Sequence, residues 1–472
     1  MGRNILEKYY NCAELNMILE LTKACNLKCK YCFENCQTEQ RDDRKMSKGT
    51  MRKSIDFLLK HRRNCHLTFF GGEPTLCKDL LKYGIEYGNS IAKEKKQYIS
   101  YTIVTNGTIL DDDLIDILDR NNVNIIFSFD GDKVGQDNYR PFLNGEGSYD
   151  IVYNNLLKLL SVRKDERYGH LIVRPTITTG TISALNGIYN KLRKIGCREI
   201  SFSLVSAERK VEYAIKESDM EKVISAYSEN ANIYYDELKN GVSYNKFFEG
   251  ILRKIDEDII RKEFCDCGKR YIAIGVDGEI YPCEGFLGIK DFKIGNIHEA
   301  EMENQWISPQ SVEENSVCSH CWAKYLCGGS CYHEAWMRTG EINKRDQLVC
   351  KTYKAAFESA LDIYAKLIED GIKVSSIVGE SLLPERALVH INEGNMKRIT
   401  EGKIYTGNGV SHRVITLNQV ADRILELCNG KNRVADIAKI IQEEYDSSYD
   451  VYRDISDTIS MFLAEEIVYL SV

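Results

Sequence analysis

Thr22-Lys23-Ala24-Cys25-Asn26-Leu27-Lys28-Cys29-Lys30-Tyr31-Cys32-Phe33 is the stretch whose reading decides the fold. It leaves an apolar, strand-like run, Met17–Thr22, and spaces its cysteines Cys25-x3-Cys29-x2-Cys32. Three thiolates at that spacing can hold three irons of a [4Fe–4S] cube and leave the fourth iron without a protein ligand. An open iron is where chemistry takes place. The competing readings are a zinc site or three core cysteines. Zinc wants a fourth ligand close by, and no zinc-knuckle spacing takes in His61 or His66.

Outward from this run, residues 15–205 alternate short apolar segments with longer amphipathic ones. Strands are expected at Met17–Thr22, Leu67–Phe70, Ser100–Thr105, Ile125–Phe129, Ile172–Thr178 and Glu199–Leu204. Helices are expected at Gly49–Lys60, Leu80–Lys93, Asp112–Asn121, Ile151–Val162 and Leu185–Lys194. Repeated β-α units imply a parallel sheet or barrel. Six units are too few to close an eight-stranded barrel, so a partial (β/α)6 barrel is expected. Gly71-Gly72, Asn106-Gly107 and Asp130-Gly131 follow strands, at the ends where parallel α/β folds build their sites.

The chain has 472 residues, 43% hydrophobic and 28% charged, with a formal net charge of −7. That is enough for two or three domains with their own cores. The acidic balance speaks against coating nucleic acid, and no apolar run is long enough to span a membrane. Met1–Cys12 lacks an apolar signal region, so the expected compartment is the cytoplasm. There the 17 cysteines are not expected to pair as disulfides. They cluster at 25–32, 265–283 and 318–350, which points to metal. Cys12, Cys36, Cys65, Cys77, Cys197 and Cys428 are scattered and read as buried or incidental thiols.

Past the barrel, Met220–Lys262 reads as helix. A cysteine-rich, loop-rich stretch then runs to Cys350; with little apolar material, it is expected to need metal to fold. Thr352–Asp370 reads as helix. The last unit, about 381–472, starts with β-like segments between Gly394, Gly402 and Gly407-Asn408-Gly409. Helical patterns follow at Asn418–Cys428, Arg433–Tyr445 and Val451–Ala464, and an apolar strand, Ile467–Val472, closes it. A small sheet with three helices suggests a winged-helix-like α+β module. The expected division is 1–230, 231–370 and 381–472.

The first cysteine run resembles that of the radical S-adenosylmethionine (SAM) enzymes. Tyr31 fills that family's aromatic slot, which lies against adenine. Thr68-Phe69-Phe70-Gly71-Gly72-Glu73-Pro74 matches its Gly-Gly-Glu-Pro segment, whose backbone and carboxylate bind the methionine amine. Ser128, Asp130 and Arg140 fall where the family contacts the SAM ribose and carboxylate, and Thr105-Asn106 match a further segment. The resemblance implies SAM chelated on the open iron, reductive cleavage of its C–S bond, and a 5′-deoxyadenosyl radical that takes a hydrogen atom from substrate.

Cys267-x10-Gly278-x4-Cys283, Cys318-x2-Cys321-x5-Cys327-x3-Cys331 and Cys350 resemble the SPASM pattern of peptide- and protein-modifying radical SAM enzymes. Asp277-Gly278 reads as a hairpin tip whose second strand, Glu279–Pro282, delivers Cys283. The resemblance implies two auxiliary [4Fe–4S] clusters, three clusters in all. Cys318, Cys321, Cys327 and Cys350 would ligate one. Cys283 and Cys331 would ligate the other, with Cys267 and Cys265 as further candidates, so that cluster is either closed or open. A zinc ribbon is the rival reading.

Leu417-Asn418, Ile424–Gly430 and Val434–Ile437 resemble PqqD-like domains, which bind the leader of a ribosomally made peptide by strand addition. A winged-helix DNA binder is the rival, but acids outnumber bases from Ser411 onward. Together the resemblances imply a maturase that forms Cys thioethers in a precursor peptide, as in sactipeptide and ranthipeptide maturation. A flavodoxin or ferredoxin would serve as reductant, with neither nucleic acid nor membrane as partner. Alternatives are a carbon–carbon cyclase, an anaerobic sulfatase-maturating enzyme and an iron–sulfur electron carrier. Sulfatase-maturating enzymes carry an Asp base after the cysteine that Cys283 matches; Glu284 stands there in this chain and is the candidate base.

Overall fold

The computed structural model describes residues 14–33, 42–60, 64–163, 169–299, 309–374, 388–392, 396–400, 402–407, 412–445, 451–464 and 467–471. Cys12, Cys36, His61, Gly394 and Asn408-Gly409 lie outside them.

The barrel half begins with β1 (Glu14–Thr22), α1 (Lys48–Leu58), β2 (Asn64–Gly71), α2 (Lys78–Lys95) and β3 (Tyr98–Thr105). It continues with α3 (Asp112–Arg120), β4 (Asn124–Phe127), α4 (Lys133–Tyr139), α5 (Tyr149–Val162), β5 (Leu171–Val173) and β6 (Thr176–Ile177). It ends with α6 (Leu185–Lys194), β7 (Glu199–Ile200) and β8 (Ser203–Leu204). β1 to β5 and β7 pair in parallel in sequence order, and β6 pairs with β8 beyond them. The expected partial (β/α)6 barrel is therefore present. Strands buried on both faces read as continuous apolar runs. Leu15, Met17, Leu19 and Leu21 of β1 are fully buried, and so are Ile18 and Glu20 on its other side.

The last two expected strands are each split. Pro175 has no N–H to give the ladder and separates β5 from β6. Ser201-Phe202 interrupts β7 and β8, while Ser201 N still bonds Val173 O and Ser203 N bonds Pro175 O. The sequence reading also missed α4. Asp132 caps it, accepting from Gly135 N at 2.8 Å, and such a cap is worth about 1 kcal/mol.

The expected helix over 220–262 is two helices, α7 (Met220–Lys239) and α8 (Lys246–Asp256). Gly241 has φ +71°, a conformation that suits glycine and ends α7, and Asn245 caps α8 through Phe248 N. The expected boundary at 230/231 falls inside α7.

The next region adds β9 (Tyr271–Ile274), β10 (Glu279–Tyr281) and β11 (Gly295–Asn296), then α9 (Lys324–Cys327), α10 (Tyr332–Thr339) and α11 (Gln347–Glu369). β9 is the first strand of the hairpin expected around Asp277-Gly278, but its pairing with β1 was not foreseen. It joins the free edge of β1 in parallel and extends the sheet to the order β11-β10-β9-β1-β2-β3-β4-β5-β7. Buried Glu20 ties this extension to the barrel by accepting from Val276 N at 3.1 Å. α11 packs along α7 and α8. A small core of Cys267, Tyr281, Phe286 and Tyr332 supports the cysteine-rich loops.

The last module has β12 (Leu388–Ile391), β13 (Met396–Thr400), β14 (Lys403–Gly407), β15 (His412–Thr416), α12 (Gln419–Leu427), β16 (Asn429–Arg433), α13 (Val434–Glu444), α14 (Tyr452–Ala464) and β17 (Val468–Ser471). β16-β12-β17 and β13-β14-β15 form two separate sheets. β16 is entirely polar, Asn429-Gly430-Lys431-Asn432-Arg433, and gave no strand signal. The module has its own core, including Ile424, Ile437, Ile459 and Phe462, and Tyr98 at the start of β3 packs against it. Among the described residues no helix is long and apolar enough to cross a membrane.

Candidate active site

The 22–33 loop is positioned by main-chain pairing on two sides. Gly72 N donates to Thr22 O and Glu73 N to Ala24 O, both at 2.8 Å. Lys28 N bonds Pro141 O and Lys30 N bonds Tyr139 O, again at 2.8 Å. Both glycines at the end of β2 are required by this crossing. A Cβ on Gly71 would stand 2.3 Å from Thr22 O, and one on Gly72 2.2 Å from Ala24 O. The close approach that these glycines allow is thus to the cysteine loop itself.

Glu73 is fully buried and caps the 3-10 turn that Pro74 opens. Its Oε1 accepts from Thr75 N (3.1 Å), Thr75 Oγ1 (2.6 Å) and Thr105 Oγ1 (2.7 Å), and its Oε2 accepts from Asn106 N (2.7 Å). Burial pushes its carboxyl above the usual range, and the four hydrogen bonds oppose that. The carboxylate locks the end of β2 to the end of β3. Asn106 Nδ2 lies 3.7 Å from Cys25 Sγ and bonds Asn26 Oδ1 at 2.9 Å. Sequence reasoning missed Asn26; its place between two cluster-type cysteines is the signal that was there.

Tyr31, Asp130 and Arg140 form one buried group. The Tyr31 hydroxyl donates to Asp130 Oδ2, and Arg140 Nη1 donates to the Tyr31 oxygen at 3.3 Å. Asp130 Oδ1 accepts from Thr176 N at 3.0 Å. Burial works against the Arg140 cation, but Tyr31, Cys29 and Asp130 around it hold its pKa above the ordinary value. Its Nε is buried and has no hydrogen-bond partner among the described residues. Such an atom costs about 1–3 kcal/mol unless an anion completes it. Ser128 donates its backbone N–H to Thr105 O, on the Glu73 side of the site. Burial pushes the Cys25 thiol up to about 12 and also raises Cys29, which Arg140 partly offsets. Three half-buried sulfurs beside a cation with an unmet donor fit a cluster that carries a carboxylate-bearing ligand.

The other cysteines fall into two groups. Cys267 lies between Cys265 and Cys283; its hydrogen bonds to both, and burial, push its thiol up, while the same contact lowers Cys265. Cys331 adjoins this group, with its sulfur at the N-terminus of α10 where Glu334 N donates to it. Cys318, Cys321, Cys327 and Cys350 form the second group, and burial with the three neighbouring thiols pushes Cys350 up to about 11. Cys327 Sγ accepts from Gly329 N and Ser330 N. Gly328, at φ +74°, passes so near Glu263 O that a Cβ would stand at 2.4 Å. Among the described residues no three His, Cys, Asp or Glu gather closely enough to hold a single metal ion. The scattered Cys65, Cys77, Cys197 and Cys428 are buried, as expected.

The expected base, Glu284, accepts from the Tyr271 hydroxyl at 2.9 Å. His333 was missed. Its ring packs against Phe33, next to Cys32, and against Phe286 and Trp336, and a Cβ on Gly285 would stand 2.6 Å from it. Burial lowers its pKa to about 4, so the ring is neutral. Phe33 also stacks on Phe70, so the aromatic contacts run from the first cysteine loop to the helix after Cys331.

Family models, curated proteins and a solved structure match large parts of the chain. The Radical SAM superfamily matches residues 19–181, an iron–sulfur cluster-binding domain (SPASM) matches 265–322, and coenzyme PQQ synthesis protein D (PqqD) matches 399–468. A cysteine-type anaerobic sulfatase-maturating enzyme of Clostridium novyi (strain NT) is 26% identical over 372 residues, covering 73% of this chain and 94% of that protein. The antilisterial bacteriocin subtilosin biosynthesis protein AlbA of Bacillus subtilis (strain 168) is 23% identical over 336 residues, 67% of each chain. The structure of native anSMEcpe with bound AdoMet matches with a TM-score of 0.64 at 20% identity, covering 75% of this chain and 100% of that one.

Proposed function

We propose that this chain, which carries radical SAM, SPASM and PqqD domains, modifies a ribosomally made precursor peptide and joins a cysteine sulfur to a carbon of that peptide as a thioether. The observation that carries the reading is the PqqD match at 399–468 on the same chain as the Cys25/Cys29/Cys32 loop: a peptide-holding module attached to a radical site. The likeness to a bacteriocin biosynthesis protein supports a peptide substrate.

A [4Fe–4S] cluster on Cys25, Cys29 and Cys32, with SAM on its open iron, supplies when bound a carbon radical able to take a hydrogen atom from a peptide. The chain's residues do the rest. Arg140 offers its unmet Nε to a ligand carboxylate. Tyr31 and Asp130 hold that guanidinium in place. Glu73 fixes the ends of β2 and β3, and the glycines before it fix the cysteine loop. Glu284, held by Tyr271, is the candidate acceptor for the substrate's thiol proton. Cys265, Cys267, Cys283 and Cys331 would hold one auxiliary cluster and Cys318, Cys321, Cys327 and Cys350 the other, three with the first, and an auxiliary cluster would accept the electron released when the carbon radical joins the thiolate sulfur. The reductant would be a flavodoxin or ferredoxin.

Sulfatase maturation is the second reading, favoured by the 26% identity over most of a sulfatase-maturating enzyme. Glu284 in place of Asp and the added PqqD module argue for the peptide maturase. Anaerobic co-expression with a cysteine-containing precursor tests the proposal. The expected product has lost two hydrogens per crosslink, with its cysteines closed to alkylation. A carbon–carbon crosslink would lose the same mass but leave the thiols open. Unmodified peptide from fully clustered enzyme, or undiminished turnover after replacing Cys25, Cys29 and Cys32 by alanine, would overturn it.

A further inference from the structure

In the sheet β13-β14-β15 one face is spent on the module's core. Ile404 and Thr406 of β14 are buried, and Ile415 of β15 packs against that core. The register sets the other face. Tyr405 stands between Lys397 and Val414, and Lys403 stands opposite Thr416. Ile399 sits at the β13 irregularity. Val414 is 60% exposed, Ile399 53% and Tyr405 37%, a concentration of apolar side chains that a strand usually turns inward.

Charge is segregated in the same module. The three strands contain Lys397, Arg398, Lys403, His412 and Arg413 and no Asp or Glu. Arg398 is taken by Asp422 of α12 at 2.8 Å, which leaves Lys397 and Lys403 as exposed cations on the open face. The helices α12, α13 and α14 carry Asp422, Glu426, Asp436, Glu443, Glu444, Asp454 and Asp457 by sequence, against three basic residues, Arg423, Lys439 and Arg453. β13 and β15 each pair on one side only among the described residues, so each offers an edge.

We propose that this sheet docks an extended peptide in which acidic residues alternate with apolar ones. The inference rests on the leader-binding reading above and gives that leader its chemistry. A strand added to either edge turns one alternate set of side chains, the carboxylates, toward the open face, where they meet Lys397 and Lys403 while their methylenes lie along Ile399, Tyr405 and Val414, and turns the apolar set toward the face that carries the module's core. Nucleic acid fits less well: a duplex binder spends about 6–10 cations on phosphates, and here two exposed lysines flank apolar side chains beside acidic helices.

The test is fluorescence anisotropy of the full chain with two synthetic peptides of identical length and apolar positions, one with glutamate and one with lysine at the alternate positions. Duplex DNA serves as competitor. The glutamate peptide is expected to bind about tenfold tighter at low salt, with the gap narrowing as salt rises. In the Lys397→Glu/Lys403→Glu variant the preference inverts; in Lys397→Gln/Lys403→Gln, which spares the fold any new charge, it falls to parity. Equal binding of both peptides, a preference unchanged in either variant, or displacement of the glutamate peptide by DNA would overturn the inference. The assay uses neither clusters nor SAM. Failed crosslinking with preserved charge preference would therefore sink the maturase reading alone, and lost preference with intact crosslinking would sink this inference alone.

Discussion

Gly72→Ala tests whether the Gly-Gly pair is a structural clamp on the cysteine loop. A Cβ there would stand 2.2 Å from Ala24 O, 2.6 Å from Ala24 C and 2.8 Å from Lys23 O, all backbone atoms that cannot rotate away. Ordinary contact begins at 3.4 Å, so the two chains must part by about 1 Å. That carries Gly72 N–Thr22 O and Glu73 N–Ala24 O from 2.8 Å past hydrogen-bonding range. Each broken bond costs roughly 0.5–1.5 kcal/mol, and about 1–3 if its groups stay dry. The expected loss is about 2–5 kcal/mol, a large share of a typical 5–15 kcal/mol fold. It is read as a lower urea midpoint of the apo-protein and as faster amide exchange across residues 22–33, the second measurement needing no two-state assumption. Gly187→Ala in α6 is the control: nothing lies within 4 Å of its Cβ, and stability should rise by up to about 1 kcal/mol. A parental midpoint together with parental exchange across 22–33 in Gly72→Ala would refute the clamp.

Asp346→Asn should cost about 3 kcal/mol in thermal unfolding, because it leaves buried Arg338 without its counter-charge and takes the partner of exposed Arg209 as well. Burial opposes ionisation of Asp346, but hydrogen bonds from Arg338 and Arg209 win and lower its pKa to about 2. A depressed carboxyl stabilises fully above its unfolded value near 3.8 and loses that contribution as pH falls toward about 2, so acid titration of the variant should be flatter in that window. Tyr31→Phe removes the donor to buried Asp130 and a partner of Arg140; SAM affinity measured by calorimetry on reconstituted protein should fall about tenfold, and an unchanged affinity would separate this group from the cofactor. Replacing Cys318, Cys321 and Cys327 together should remove about four of about twelve irons in anaerobic iron analysis, and undiminished iron would rule out that cluster assignment.

The barrel was legible because parallel strands buried on both faces write themselves as apolar runs, and β1 to β4 fall where those runs lie. The breaks were less legible. Pro175 and Asn240-Gly241 stood in plain sight, but a period argument carries across a single stop signal. β16 escaped because its identity is main-chain pairing: it has no apolar residue at all. At the site the structure brings Tyr31, Asp130 and Arg140 together, and Glu73 to Thr105 and Asn106. Their contacts did not follow from the motif, since Glu73 and Tyr31 spend their polar atoms on Thr105, Asn106 and Asp130, which lie 32 to 99 positions away. His333 was invisible for the same reason: only the folded chain sets its ring on Phe33.

β3 is a strut with a different load at each tip. Tyr98 at its start bears on the C-terminal module, and β17 lies against it there. Thr105 and Asn106 at its finish grip Glu73 and reach toward Cys25. Seven steps of about 3.3 Å separate mount from hearth by about 23 Å. Under the proposed function, a substrate moored at the far rim would reach the thiolates on a tether, whose length would rank with its sequence in choosing which side chain is delivered.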